Sequence, residues 1–138
     1  MTAAARARRT LYLDSSALVK LAQIEAETPA LRRYLQRHRS VARVTCALAR
    51  VEVLRALAPG GPRALALGRR QLARFHQLEL DRELLDRAAG LPPPGLRSLD
   101  ALHLAAAQTL PGLRAVVTYD ARMQEAADGL GLPVEAPA

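Results

Sequence analysis

The chain has 138 residues, of which 50% are hydrophobic, and one cysteine, so we expect a single domain spanning residues 1–138 with no internal disulfide. It contains no apolar run near the roughly 18 residues of a membrane span, and no long apolar region follows the basic opening MTAAARARRT. We therefore expect residues 1–9 to be a short, frayed, basic leader, not a secretory signal, and the protein to be cytoplasmic. The formal net charge of +7, carried almost wholly by arginine, favours a polyanionic partner.

Strand and helix patterns alternate along the chain. In chain order, the predicted elements are a strand at 10–13, helices at 16–27 and 29–39, a β-rich segment at 41–44, helices at 46–58 and 62–78, a strand at 78–80, helices at 81–89 and 99–110, a strand at 114–120, a helix at 121–129 and an edge strand at 132–136. Thr28, Thr45 and Ser98 are the predicted helix caps. This alternation predicts an α/β fold with a parallel sheet covered by helices on both faces, all strands ending at one edge.

Three aspartates stand where predicted strands end or predicted helices begin. Asp14 follows the strand TLYL, Asp120 ends RAVVTYD, and Asp100 lies in the first turn of a helix. In a parallel sheet Asp14 and Asp120 project from the same edge, where α/β proteins hold their chemistry. Each aspartate also has a local explanation, because acids cap helices and are stabilised near helix N-termini. The two serines after Asp14 are candidate caps, which would leave its carboxylate free.

Glu52 is the only acid between residues 28 and 78, a stretch that contains eleven arginines. It lies in mid-helix beside apolar residues, in CALARVEVLRAL, where capping does not apply. An ion pair with Arg55 is the alternative explanation, although such a pair contributes only about 0.2–0.5 kcal/mol.

Four carboxylates brought close together raise one another's pKa and resist ionisation. A hard divalent cation removes this repulsion, and Mg²⁺ and Mn²⁺ prefer oxygen ligands. Such an ion activates water and stabilises the charge that develops during displacement at phosphorus, while a basic surface attracts phosphates. The residues therefore favour metal-dependent hydrolysis of a phosphodiester.

Four segments resemble the PIN-domain ribonucleases, and specifically the VapC toxins of bacterial toxin–antitoxin pairs. They are LYLDSSALVKL with Asp14, ARVEVLRAL with Glu52, LRSLDALHLAAA with Asp100 and VVTYDARMQEAA with Asp120, in the family's order and spacing. The resemblance implies a three-layer α/β/α sandwich with a parallel sheet of four or five strands, Mg²⁺ with Mn²⁺ as a substitute, cleavage of RNA, homodimerisation and inhibition by a VapB-type antitoxin. It also implies that Asp14 and Asp100 bind the metal directly, with Glu52 and Asp120 completing the cluster directly or through water.

Three residues, Ser16, Thr118 and His103, have more than one interpretation. The resemblance implies that Ser16 and Thr118 support the acids or contact phosphate, but both positions also suit a helix cap or a turn. His103, one turn after Asp100, is either an acid or, more simply, a packing or surface residue. Cys46 is interpreted as a small buried residue.

Two rival functions stay open at this point. In the first, the chain is a phosphoryl-transfer enzyme with Asp14 as nucleophile, although DSS lacks a second aspartate two residues on. In the second, it is a non-catalytic module that binds RNA or an antitoxin, and its acids are structural. The second alternative predicts that Asp14→Asn and Glu52→Gln leave the biological activity intact.

Overall fold

Five parallel strands form one sheet in the computed structural model, which describes residues 9–138. The strands are β1 (Thr10–Leu13), β2 (Ala42–Cys46), β3 (His76–Leu78), β4 (Leu113–Val117) and β5 (Val134–Glu135). Their order across the sheet is β3-β2-β1-β4-β5, which puts β1 at the centre. The basic leader predicted at 1–9 lies outside the described residues, apart from Arg9.

Helices cover both faces of this sheet. They are α1 (Ser15–Ala22), α2 (Thr28–Arg37), α3 (Leu48–Leu57), α4 (Gly61–Leu72), α5 (Arg82–Ala89), α6 (Ser98–Gln108) and α7 (Ala121–Gly129), with a 3-10 turn at Ala58–Gly60. Helices α1 to α4 pack against Leu11 and Leu13 on one face, while α5 and α6 pack against Tyr12 on the other, with α7 beside α6. The predicted α/β/α sandwich is confirmed. None of the helices described between residues 9 and 138 combines enough length and apolar character for a membrane crossing.

The central strand positions the candidate site. Leu11, Tyr12 and Leu13 are fully buried, because a parallel strand at the centre of a sandwich has both faces covered. Directly after β1, the backbone N–H of Asp14 donates to the carbonyl of Val117, the last residue of β4. The two strands therefore end side by side, and the residues that follow them meet.

Helix α1 is shorter than the sequence predicts. It ends at Ala22, and Gln23 is extended. The hydroxyl of Thr28 donates to the carbonyl of Lys20 and accepts from the backbone N–H of Glu25, which closes a turn between α1 and α2. The prediction of a helix to residue 27 is wrong because these polar contacts satisfy the backbone in a turn.

Pairing within the sheet also overrides local helix signals around β2 and β3. Thr45, predicted to cap a helix, lies in β2 opposite Gln77 of β3, and its buried hydroxyl has no hydrogen-bond partner among the described residues. Helix α4 ends at Leu72, and β3 occupies residues 76–78 where the basic helix was predicted to continue. Ladder hydrogen bonds to β2 stabilise the extended conformation there, and a local pattern does not report them.

Candidate active site

The four predicted acids surround the N-terminus of α1, at the carboxyl edge of the sheet. Asp14 immediately precedes α1, and Glu52 contacts its first residue, Ser15. Glu52 and Asp120 line one cavity of about 440 Å³ together with Ser15 and Ser16. The predicted convergence of strand ends on one edge is therefore observed, although the four carboxylates have different surroundings.

Asp14 is buried, and its carboxylate accepts three hydrogen bonds. Oδ1 accepts from Ser16 Oγ at 2.6 Å and from the backbone N–H of Ala17 at 3.2 Å, while Oδ2 accepts from Thr118 Oγ1 at 2.5 Å. Asp14 is thus itself the N-cap of α1, and the prediction that the serines cap this helix is wrong. Burial raises the pKa of Asp14, while the charge of His103 and these hydrogen bonds act in the opposite direction. A carboxylate has about four acceptor positions, so one remains for a further ligand.

Ser16 and Thr118 connect Asp14 to the chain that leaves β4. Besides its bond to Asp14, Ser16 Oγ accepts from the backbone N–H of Tyr119 at 3.0 Å. Thr118 Oγ1 likewise accepts from the backbone N–H of Asp120 at 3.2 Å. Both hydroxyls therefore support Asp14. In addition, Thr118 closes a local turn, and Ser16 ties the start of α1 to the segment after β4.

Glu52 is half-buried on α3, and one of its two carboxylate oxygens takes both of its hydrogen bonds. Oε1 lies 2.6 Å from Ser15 Oγ, which donates to it, and 2.6 Å from Nε2 of His103. These contacts, not an ion pair with Arg55, occupy the side chain in the described part of the chain. Burial raises the pKa of Glu52, but the hydrogen bonds from His103 and Ser15 outweigh that effect and lower it.

His103 is the residue whose role the sequence analysis missed. It is buried on α6, and its Nδ1 lies 2.7 Å from the Tyr12 hydroxyl and 3.7 Å from Cys46 Sγ. Burial lowers the pKa of His103, but hydrogen bonds to Cys46 and Glu52, with the charges of Cys46 and Asp14, raise it to about 10. The signal in the sequence is its position three residues after Asp100 on an apolar helix, which does not reveal its partners. Cys46 is buried, as predicted.

Asp120 and Asp100 form the more exposed half of the site. Asp120 is exposed and caps α7, with Oδ1 accepting from the backbone N–H groups of Arg122 at 2.9 Å and Met123 at 3.2 Å. Asp100, in the first turn of α6, lines a groove of about 610 Å³ that also contains Arg97 and Arg122. Burial raises the pKa of Asp100, and the negative charges of Asp120 and Asp14 raise it further. Asp100 is therefore close enough to Asp120 and Asp14 to be repelled by both.

The donor chemistry of this edge fits a hard divalent cation. All four candidate ligands are carboxylates, and the repulsion felt by Asp100 is what a cation would relieve. Among residues 9–138, no three carboxylate, imidazole or thiol groups converge on one point at ligand distance. Binding a cation here therefore requires carboxylates to turn towards it, which the half-exposed Asp100 is free to do. Asp120 can offer its second oxygen, Oδ2, while Oδ1 caps α7.

Comparison with known proteins identifies the family to which this chain belongs. The family described as PIN domain matches residues 11–129 of the chain. This chain belongs to the PIN-domain family. The resemblance drawn from the four acidic segments is thereby confirmed.

Curated relatives place the chain among the VapC members of the PIN-domain family. Ribonuclease VapC46 of Mycobacterium tuberculosis is 54% identical over 129 residues, covering 92% of this chain and 97% of that protein. Ribonuclease VapC35 of the same species is 45% identical over 130 residues, covering 92% of this chain and 96% of that protein. The crystal structure of Mycobacterium tuberculosis VapC20, described as a sarcin-ricin loop cleaving toxin, has a TM-score of 0.71 with 16% identity and covers 94% of this chain and 100% of that chain. This last likeness concerns the fold alone.

Proposed function

We propose that this protein is a Mg²⁺-dependent endoribonuclease of the VapC type, a toxin whose activity requires its cluster of four acids. The observation that carries the proposal is the buried carboxylate of Asp14 at the end of the central strand, with Glu52, Asp100 and Asp120 around the same helix start. Curated relatives at 54% and 45% identity are named ribonucleases, which supports RNA as the substrate.

Each acid has a distinct part in this proposal. Asp14 and Asp100 would coordinate the cation directly, and Glu52 and Asp120 would complete its surroundings directly or through water. Mg²⁺, or Mn²⁺ in its stead, would supply Lewis-acid chemistry, activating water and neutralising the charge that develops at phosphorus. Ser16 and Thr118 fix the Asp14 carboxylate through their hydroxyls.

RNA would reach the acids along arginine-bearing surfaces. Arg97 and Arg122 line the groove that contains Asp100, and both side chains are exposed, so they are suited to contact phosphate oxygens on either side of the scissile bond. Further exposed arginines on α2 and α4 extend the basic surface. Contacts of this kind attract RNA without selecting its sequence.

Burial and three hydrogen bonds argue against Asp14 as a nucleophile. A carboxylate that attacks phosphorus needs an exposed oxygen, whereas both oxygens of Asp14 already accept hydrogen bonds from packed neighbours. The phosphoryl-transfer alternative therefore has less support than a metal-ligand role for this residue.

We also propose a VapB-type antitoxin as the protein partner, homodimerisation, and action in the cytoplasm. The support is membership of the VapC group, together with a free, buried thiol at Cys46 that suits a reducing compartment. An antitoxin encoded by a small reading frame beside this one should restore growth when both are expressed. Unchanged toxicity in the presence of that product would contradict the assignment.

The test of the catalytic proposal is RNA cleavage by the purified chain. We expect cleavage with Mg²⁺ or Mn²⁺, loss of cleavage with EDTA, and loss in a folded Asp14→Asn, Asp100→Asn double variant. The matched control is Asp86→Asn with Asp128→Asn, which removes two exposed carboxylates away from the acidic edge and should cleave as the wild type does.

Three outcomes would overturn or redirect the proposal. Normal cleavage by the folded Asp14, Asp100 variant would mean that the acids are not the catalytic cluster. RNA binding without cleavage at any metal concentration would favour the non-catalytic module. A phosphorylated Asp14 detected by mass spectrometry would favour the phosphoryl-transfer enzyme.

A further inference from the structure

Beneath Glu52 lies a buried set of hydrogen bonds that the proposed function does not require. It comprises Tyr12 on β1, Cys46 at the end of β2, and His103 on α6. We propose that His103 is a positioning residue, which holds the Glu52 carboxylate in the orientation needed to receive the divalent cation. This inference rests on the proposed function, because it gives Glu52 a place at the metal site.

The two carboxylate oxygens of Glu52 differ in their contacts, because in the described part of the chain only one of them accepts hydrogen bonds. Ser15 Oγ and His103 Nε2 both bind Oε1, each at 2.6 Å. Within residues 9–138, Oε2 has no hydrogen-bond partner, and the side chain lines the cavity that also contains Asp120. The carboxylate is therefore fixed from behind while one oxygen is available for a ligand.

The hydrogen bond from His103 has a defined direction. An ionised carboxylate only accepts hydrogen bonds, so Nε2 of His103 must carry the proton at this contact. This assignment holds for the neutral imidazole, with Nδ1 accepting from the Tyr12 hydroxyl, and for the imidazolium, with Nδ1–H donating instead. In either state Nε2–H points at Glu52.

Burial makes this arrangement rigid. Tyr12 and Cys46 are fully buried and His103 is 2% exposed, so the ring has little room to rotate. Its edge is fixed by the Tyr12 hydroxyl at 2.7 Å, and the two rings meet at an interplanar angle of 70°. Glu52, by contrast, is a long side chain on a half-exposed position of α3, and without His103 it would sample several rotamers.

Holding a ligand in advance lowers the entropic cost of binding the cation. Partners that orient a metal ligand typically change metal affinity by about 10–100-fold when they are removed. We therefore expect loss of the Nε2–H donor to weaken divalent-cation binding by about 10-fold or more, while removal of Glu52 weakens it at least as strongly.

The decisive experiment measures Mn²⁺ binding by electron paramagnetic resonance in the full chain, without RNA. His103→Gln retains an amide N–H near the position of Nε2, whereas His103→Asn retains a polar group only near Nδ1. We expect wild-type-like affinity for His103→Gln and an increase in Kd of about 10-fold or more for His103→Asn. Thermal unfolding in EDTA identifies variants that remain folded, and RNA cleavage should follow the same order.

Glu52→Gln separates this inference from the proposed function. If Glu52→Gln binds Mn²⁺ as the wild type does, Glu52 is not part of the metal site and the proposed ligand set fails. If Glu52→Gln loses affinity while His103→Asn and His103→Gln both match the wild type, the metal site stands and the positioning role of His103 is overturned.

A measurement on the wild type covers the case in which the His103 variants fail to fold. Long-range ¹H–¹⁵N spectra should find a proton on Nε2 of His103, and its signal should move when Mg²⁺ is added. His38 and His76 provide internal controls, because the structure gives them no contact with the four acids. An Nε2 without a proton, or a His103 signal that stays fixed while Mg²⁺ binds, would overturn the inference.

Discussion

Asp14 and Asp100 stand at the same edge of the sheet, yet their carboxylates have opposite surroundings. Asp14 is 3% exposed and accepts three hydrogen bonds from packed neighbours. Asp100 is half-exposed at the start of α6 and has no side-chain hydrogen bond within residues 9–138. Glu52 resembles Asp14, because its partners Ser15 and His103 hold it. Asp120 is exposed like Asp100, but its Oδ1 caps α7.

The difference between these carboxylates shows how a folded chain keeps several like charges close together. Packed neighbours hold the carboxylates of Asp14 and Glu52, so the positions of these two groups are set before a ligand binds. In the exposed pair, Asp100 can turn and Asp120 has one oxygen outside its cap hydrogen bonds, so these two carboxylates can adjust to a cation. A site with both kinds of carboxylate combines two preorganised ligands with two that can adjust to the cation.

The largest effect on stability should come from removing the hydrogen bonds that hold the Asp14 carboxylate. Asp14→Ala leaves the Ser16 and Thr118 hydroxyls and the Ala17 N–H without their acceptor, whereas Asp14→Asn keeps an acceptor oxygen and a polar group of the same shape. Both variants remove the charge, so the difference between them reports the lost hydrogen-bond acceptor together with the volume that Ala leaves empty. We expect Asp14→Ala to be less stable to urea than Asp14→Asn by about 2 kcal/mol. Equal stability of the two would mean that these hydrogen bonds contribute nothing.

A medium effect should distinguish the two consecutive serines. Ser16 Oγ donates to Asp14 and accepts from the Tyr119 N–H, whereas Ser15 Oγ donates to the partly exposed Glu52. We expect Ser16→Ala to lower the free energy of unfolding by about 1–2 kcal/mol and Ser15→Ala by about 0.5 kcal/mol. Urea unfolding in EDTA measures the free energy of unfolding of both variants. A larger loss for Ser15→Ala than for Ser16→Ala would contradict the conclusion that packed neighbours hold Asp14 rigidly.

The smallest effect on stability should follow removal of a charge from the exposed half. Asp100→Asn loses a favourable interaction with the helix N-terminus but also relieves repulsion with Asp120 and Asp14, so the two terms oppose each other. In EDTA we expect a free energy of unfolding within about 0.5 kcal/mol of the wild type. With Mg²⁺, the wild type should gain melting temperature through ligand linkage and Asp100→Asn should not.

The control for the Mg²⁺ comparison is Asp128→Asn, which changes another exposed acid. Its melting temperature should rise with Mg²⁺ as much as that of the wild type. A complete Mg²⁺-dependent rise in Asp100→Asn would remove this residue from the proposed ligands. A flat response of the wild type itself would argue against a metal site at this edge.

Most of the fold could be predicted from the sequence because its signals are local. The apolar strand TLYL followed by Asp14, and AVV followed by Thr118 and Asp120, predict buried strands that deliver polar groups at their ends. The errors lie where long-range pairing decides the conformation. The local pattern predicts a helix cap at Thr45 and a helix at 76–78, whereas Thr45 pairs in β2 and residues 76–78 form β3.

The sequence indicates the four candidate acids but not the residues that hydrogen-bond to them. Glu52 is recognisable because it is the only acid in an arginine-rich stretch, and Asp14 and Asp120 are recognisable because they end predicted strands. The local cap explanation nevertheless proved correct for Asp14 and Asp120, which cap α1 and α7 while facing the edge. His103 carries no such signal, because a histidine on an apolar helix has the same appearance whether it packs or binds.

The sequence by itself determined the alternation of strands and helices, the position of each acid and the family resemblance, since periodicity and residue type are properties of neighbouring positions. Only the tertiary structure decided which groups hold those acids. His103 meets Glu52 across 51 positions, and Thr118 meets Asp14 across 104. Packing of helices on a parallel sheet creates these contacts. The adjacent serines of DSS serve different acids because they are the first two residues of α1, and successive side chains of a helix point in directions about 100° apart.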